Sequence, residues 1–270
     1  MSATPSVTTT LVYPGTANDP NLYDVYFKGN NVFNPGNLTA GTPYDEFCLV
    51  ENIQIPVNAT FTSYVYSSYE LTTLKSIPGL AKNLNLDKLD SINWLLNNWV
   101  KLGVTYSDAQ GAIWKMMGSK YLVDYFGPQD PVKIDALVAE ALKHDGYVPG
   151  VGELIGVVLD PMSGSTHRQP LIVAMKSASL GDRVWHDANA NGIQDVGETG
   201  IAGATVELIR DQNQDGDFND AGEVLASATT DANGNYGFTG LTPGLIYQVR
   251  FTLPAGYDKT SPRQADGSAG

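Results

Sequence analysis

The run Ser107-Asp108-Ala109-Gln110-Gly111-Ala112-Ile113-Trp114 is the first place to look in this chain of 270 residues, because it lies in a helical insertion within a stretch that is otherwise mostly strand-like. At 3.6 residues per turn it sets Gln110, Ile113, Trp114 and Met117 on one face. Gln110 is thus a polar group at the edge of an apolar stripe. Ser107 lies three residues before it, the spacing of a capping box, in which the glutamine bonds back to the cap amide. Working outward, Leu89, Ile92, Leu96 and Trp99 form another helical stripe, with Gly103 as its stop. A third helix follows Asp130 as cap and Pro131 at the first position, and Gly146 terminates it.

Around these helices the pattern is β. Leu11–Tyr13, Tyr23–Phe27, Phe47–Ile55 and Thr60–Tyr66 are rich in Thr, Tyr and Val and are separated by Pro, Gly and Asn. Strand character returns at 151–159 and 171–175. Residues 1–176 are therefore expected to form one α+β domain, mostly β with a helical insertion. Residues 177–270, with strands at Thr205–Ile209, Tyr236–Phe238 and Tyr247–Leu253, are expected to form an all-β Ig-like sandwich. Lys176–Ser179 is read as the hinge.

The charge is −13, with 29 acidic residues against 16 basic, and 13 of the acidic ones against 5 basic fall in 181–270. Such a balance disfavours nucleic acid and anionic membrane as partners and suits divalent cations. No apolar run is long enough to span a membrane, and Met1-Ser2-Ala3-Thr4-Pro5 has neither the basic nor the apolar region of a signal peptide. The ending Gln264-Ala265-Asp266-Gly267-Ser268-Ala269-Gly270 has no closing strand, so the chain is read as a piece of a longer exported protein, truncated in its second domain.

The single cysteine, Cys48, excludes an intramolecular disulfide and asks for another explanation. It is either a small buried hydrophobe or one half of a pair. A thiolate that attacks the carboxamide of a glutamine expels ammonia and leaves a thioester, provided the two are held in line and away from water. Cys48 and Gln110 are the candidates, against the simpler alternative of a buried cysteine and a capping glutamine. A cysteine hydrolase using His144, His167 or His186 lacks any local nucleophile signature, and the chain is read as a non-enzyme.

Two further stretches suggest a metal. Asp187-Ala188-Asn189-Ala190-Asn191-Gly192-Ile193-Gln194-Asp195-Val196-Gly197-Glu198 places side-chain oxygens at loop positions 1, 3, 5, 9 and 12. The carbonyl of Ile193 stands at position 7 and a glycine at the sharp turn, which is a calcium pattern. The metal-ligating candidates are Asp187, Asn189, Asn191, Ile193, Asp195 and Glu198. A second loop offers Asp211, Asn213, Asp215, Asp217 and Glu223, with its glutamate one position late. Asp231-Ala232-Asn233-Gly234-Asn235-Tyr236 reads as a hairpin turn.

Phe47-Cys48-Leu49 and Ala109-Gln110-Gly111-Ala112-Ile113-Trp114, in that order with helices between, resemble the two signatures of bacterial surface thioester domains. Gly181-Asp182-Arg183-Val184-Trp185, the Asp187–Glu198 loop, Gly203-Ala204-Thr205-Val206-Glu207-Leu208, Thr230–Phe238 and Leu241-Thr242-Pro243-Gly244 resemble an Sdr-type B repeat, a relative of Cna-B-like stalk modules. The first resemblance implies a Cys48–Gln110 thioester that captures an amine on a host or neighbouring-cell surface protein. The second implies a calcium-stiffened Ig-like stalk. Together they imply a monomeric, extracellular, cell-surface adhesin.

Overall fold

The computed structural model describes residues 6–12, 24–27, 43–49, 60–77, 80, 84–118, 128–211, 216–243 and 245–258. They fall into two compact units, one of residues 3–178 with 239–245 and one of 179–238 with the chain from 246 onward.

The first unit opens with strands β1 (Ser6–Val12), β2 (Asp24–Phe27), β3 (Pro43–Cys48) and β4 (Thr60–Ser67). Helices α1 (Leu71–Ser76), α2 (Leu89–Asn98), α3 (Tyr106–Met116) and α4 (Pro131–Ala141) follow. Strands β5 (Leu154–Ser163), β6 (Thr166–His167) and β7 (Leu171–Lys176) complete it. The strands run in the order β4-β1-β2-β3-β7-β5-β6, and β5 also pairs with β4. The pairs are antiparallel, so short connections suffice. The expected α+β class holds.

Helix α4 forms where its start signal lies. Asp130 Oδ1 accepts from the N–H groups of Val132 and Lys133 at 3.0 and 3.3 Å, and Pro131 fills the first position, where no N–H is needed. The cap also ties α4 to α3, because Asp130 N–H donates to Asp108 Oδ1 at 2.8 Å. A Cβ added at Gly111 would lie 2.6 Å from Ile134 Cδ1, so the two helices close together beside Gln110. The fully buried Ile92, Leu95, Ala112 and Ile113 join Val157, Val158 and Ile172 in one core.

Helix α2 does something the apolar stripe did not announce. The register of β5 with β4 runs from Met162 only to Val157, while β5 continues back to Leu154. The main-chain groups left over there need partners, since unpaired buried amides are costly. Asn97 supplies them, accepting from Leu154 N–H and donating to Leu154 O, both at 2.7 Å. Asn93 accepts from Gly156 N–H at 2.6 Å and donates to Ser68 Oγ at 2.9 Å. Two side-chain carboxamides thus stand in for a missing strand.

The second unit contains β8 (Ala178–Arg183) from Ser179 onward, β9 (Thr205–Ile209), β10 (Val224–Thr229), β11 (Asn235–Leu241) as far as Phe238 and β12 (Gln248–Thr252). They make a three-stranded sheet, β10-β9-β12, and a two-stranded one, β11-β8. Val206, Leu208 and Phe238 are buried, as a two-sheet sandwich requires. The division between the units falls at Ala178–Ser179, within the expected Lys176–Ser179 span. Strand β7 ends at Lys176 and β8 begins at Ala178. The expected hairpin at Asp231 is a turn between sheets, because β10 pairs with β9 whereas β11 pairs with β8.

Candidate functional site

The structure brings Cys48 and Gln110 together. Strand β3 pairs with β2 from Pro43 to Asp45 and with β7 from Glu46 to Cys48. Leu49 N–H donates to Pro170 O at 2.9 Å, so at Leu49 the main chain faces β7 and at Cys48 it faces the other way. There the side chain of Gln110 replaces a strand. Cys48 N–H donates to Gln110 Oε1 and Gln110 Nε2 donates to Cys48 O, each at 2.8 Å. Gln110 has no solvent exposure and Cys48 has 7%.

This overturns the capping alternative for Gln110. Helix α3 begins one residue before Ser107, and its cap is Thr105, whose Oγ1 accepts from Asp108 N–H at 3.1 Å in an extended backbone conformation. With the cap two residues earlier, Gln110 is the fifth residue of the helix, too far in to serve the terminus. Phe47 stacks on Tyr106 at 4.8 Å between centroids and meets Trp99 edge-on at 6.0 Å. Strand alternation puts Phe47 and Cys48 on opposite faces, so the aromatic cluster fastens α3 to β3 rather than wrapping the sulfur.

Each of the three histidines packs against a residue other than Cys48 or Gln110. His144 stacks on Trp94 at 4.2 Å, and His167 Nδ1 lies 2.7 Å from Asp160 Oδ2. Burial pushes the Asp160 carboxyl above the usual range, with His167 opposing the shift. His186 packs edge-on to Tyr257 in the second unit.

The Asp187–Glu198 loop is held by its own polar groups. Asp187 accepts from Asn191 N–H at 3.1 Å and Gly192 N–H at 2.9 Å. Asn189 and Asn191 both donate to Asp195 Oδ2, at 2.8 and 2.9 Å, and these two bonds hold the Asp195 carboxyl below its ordinary range. Glu198 accepts from Ala188 and Asp195 N–H, both at 3.0 Å. Ile193 N–H is taken by Asn191 Oδ1 at 2.7 Å. Five oxygen-bearing side chains are thus tied within one loop, and oxygen donors alone are the chemistry that suits calcium. Among the described residues no three His, Cys, Asp or Glu side chains are grouped to hold a metal ion. The asparagine oxygens face main-chain N–H groups, and a cation here would require both amides to turn.

The second loop repeats the first with one residue inserted. Asp211 Oδ2 accepts from Gly216 N–H at 2.9 Å, as Asp187 does from Gly192. Glu223 Oε2 accepts from Asp220 N–H at 3.0 Å, as Glu198 does from Asp195. Asp220, absent from the sequence-based candidates, therefore holds the place of Asp195. Asp217 instead accepts from Asn219 N–H and Nδ2. Asn213 and Asp215 lie outside the described residues. The signal for Asp220 was the late glutamate, which marks an insertion between Gly216 and the second acid.

Two loops of one pattern lie in this two-sheet C-terminal part. Residues 178–269 match the SdrD B-like domain family. This part of the chain is 51% identical over 83 residues to serine-aspartate repeat-containing protein D of Staphylococcus aureus (strain Newman), an alignment that covers 31% of the chain and 6% of that protein. It is 45% identical over 86 residues to protein C of the same strain, covering 32% of the chain and 8% of that protein. The chain thus spans a small part of the curated relatives it matches. Among solved structures, the N-terminal thioester domain of a surface protein from Clostridium perfringens aligns with 63% of the chain and 99% of its own length, at 13% identity and TM-score 0.40. The corresponding domain of fibronectin-binding protein SfbI from Streptococcus pyogenes aligns with 63% and 92%, at 17% identity and TM-score 0.34. At these scores the likeness is distant. Among the described residues no helix is long and apolar enough to cross a membrane.

Proposed function

We propose that the chain belongs to a bacterial cell-surface adhesin whose first domain captures an amine on a target protein through a Cys48–Gln110 thioester, followed by a calcium-stiffened stalk module. The observation that carries this reading is the two-point hold of the Gln110 carboxamide on Cys48, 62 residues away. In the forming step, Cys48 Sγ attacks Gln110 Cδ. The S–C bond forms, the C–N bond breaks, and the thiol proton leaves with the nitrogen as ammonia. Cys48 N–H already sits on Oε1 and would stabilise the negative charge that develops there. Capture runs the same path backward with a target amine in place of ammonia. Burial of both residues supports a bond that survives water.

A purely structural reading has its own support, because Asn97 grips Leu154 in the same two-point manner with no cysteine present. Intact mass separates the two. The fresh chain should be lighter than its sequence by one ammonia, and Cys48→Ala should restore the full mass. Full mass in the fresh wild-type chain leaves Gln110 as a strand surrogate only.

For the stalk, Asp187, Asn189, Asn191, Asp195 and Glu198 would hold one calcium, and Asp211, Asp220 and Glu223 would contribute to a second. The ion would supply positive charge that fixes loops otherwise closed by their own hydrogen bonds. Calcium at a hundredfold excess over its dissociation constant should stabilise the module by about 2.7 kcal/mol per site. In thermal melts, Asp195→Ala and Asp220→Ala should each lose part of that gain and Asp217→Ala should keep it. Identical melts in chelator and in millimolar calcium would remove the ion from the account.

A further inference from the structure

We infer that capture of a target amine unlatches α3 from β3, because the linkage it creates cannot occupy the place the Gln110 carboxamide now holds. This rests on the thioester reading above. Both hydrogen bonds of the carboxamide go to one residue, Cys48 N–H to Oε1 and Nε2 to Cys48 O, at 2.8 Å each. A planar carboxamide reaches two groups side by side only with its oxygen and the amide hydrogen on the same side as that oxygen. That hydrogen is the one that meets Cys48 O.

Capture replaces one of the two nitrogen hydrogens by the target's carbon. The amine nitrogen attacks Gln110 Cδ, the C–S bond breaks, the sulfur takes up the proton that the nitrogen sheds, and a secondary amide and the Cys48 thiol result. Secondary amides are trans, the cis form being strongly disfavoured. In the trans form the substituent on nitrogen lies on the oxygen's side, where the bonded hydrogen had been. A carbon placed there, about 1.46 Å from the nitrogen, points at an acceptor oxygen that lies 2.8 Å from the same nitrogen. Carbon and oxygen would overlap, so the amide must turn out of the site. Cys48, only 7% exposed, then loses both of its contacts with the carboxamide.

Ammonia behaves differently. Its product is the original primary amide, with both hydrogens, and the two-point pairing returns. The site therefore distinguishes a return to the starting glutamine from attachment of any larger amine, and attachment is reported at strand β3. The expected change is local, centred on Cys48, Leu49 and the first turns of α3.

The test uses the full chain opened by ammonia or by methylamine, with each product verified by intact mass. Both treatments break the thioester, so they differ only in the substituent on nitrogen. Amide hydrogen exchange should be slow at Cys48 in the ammonia product and at least tenfold faster in the methylamine adduct. Equal protection in the two products overturns this inference and leaves the thioester standing. Absence of ammonia loss in the fresh chain, or failure to take up methylamine, overturns the thioester reading and this inference with it.

Discussion

Gly200→Ala is expected to abolish hydrogen-exchange protection across residues 179–238 and 246–258 while residues 60–176 keep theirs. A Cβ at residue 200 would lie 1.8 Å from Asn233 O, 2.1 Å from Asn233 C and 2.6 Å from Gly234 N. All three are main-chain atoms, so no rotamer change relieves the clash. Gly234 sits opposite with φ of +84°, and its own Cβ would lie 2.2 Å from Val184 O. Three segments meet here with no side chain between them. They are tied by Val184 N–H to Gly234 O and Ile201 N–H to Val184 O, each at 2.9 Å, and by Arg183, which donates to Asn233 O and Glu198 O. Forcing them apart breaks this set together, at a cost above the ~4 kcal/mol that marks an exceptional substitution. A small module has roughly 5 kcal/mol to lose. Undiminished protection in the variant would show that the main chain yields more easily than its packing implies.

The second large effect is expected for Gln110→Glu, which also reproduces the product of thioester hydrolysis. A protonated carboxyl can copy the amide, since its carbonyl accepts from Cys48 N–H and its O–H donates to Cys48 O. The ionised form has no donor and sets a charge against a carbonyl oxygen at a position with no solvent exposure. Burial and that carbonyl should raise the folded-state pKa above the unfolded value of about 4.3. The sign follows from the raised value. Stability should approach that of the glutamine form below about pH 4.3 and be lost as pH rises through the folded-state pKa. At neutral pH the deficit should reach about 3–5 kcal/mol, the range for an uncompensated buried charge. Urea unfolding from pH 4 to 8 would measure it, with Cys48→Ala present in both proteins so that no thioester intervenes. A gap that stays constant with pH would exclude the two-point pairing as the cause.

Local signals were legible where the partner is also local. Asp130 and Pro131 announce α4 because cap and helix are adjacent, and the Asp187 loop announces itself because all its bonds fall within twelve residues. Gln110 could not be read this way. Spacing inside a helix offers only neighbours as partners, so Ser107 looked like its cap, whereas its partner is the main chain of Cys48 across 62 residues. Asn93 and Asn97 were hidden for the same reason, since they answer the point where β4 ends and β5 continues. Strands β8 and β10 carry Ala-Ser-Leu-Gly-Asp-Arg and Val-Leu-Ala-Ser-Ala-Thr, too small and polar to show a period. Their pairing is set by the strands beside them. The loop at Asp211 was legible in kind but not in register, because an inserted residue shifts every later ligand.

The separation of Cys48 from Gln110 along the chain has a consequence for the unfolded protein. A thioester between them would close a ring of 62 residues enclosing β4, α1 and α2. By loop entropy such a ring removes about 4 kcal/mol of freedom from the denatured ensemble. The bond would then act as a staple until the moment it is spent. Opening it with ammonia should lower the melting temperature even though the folded contacts are restored, and an unchanged melt would mean that no ring had been closed. A head that has bound its target would be held to that target by a new covalent bond while its own chain is freer to unfold.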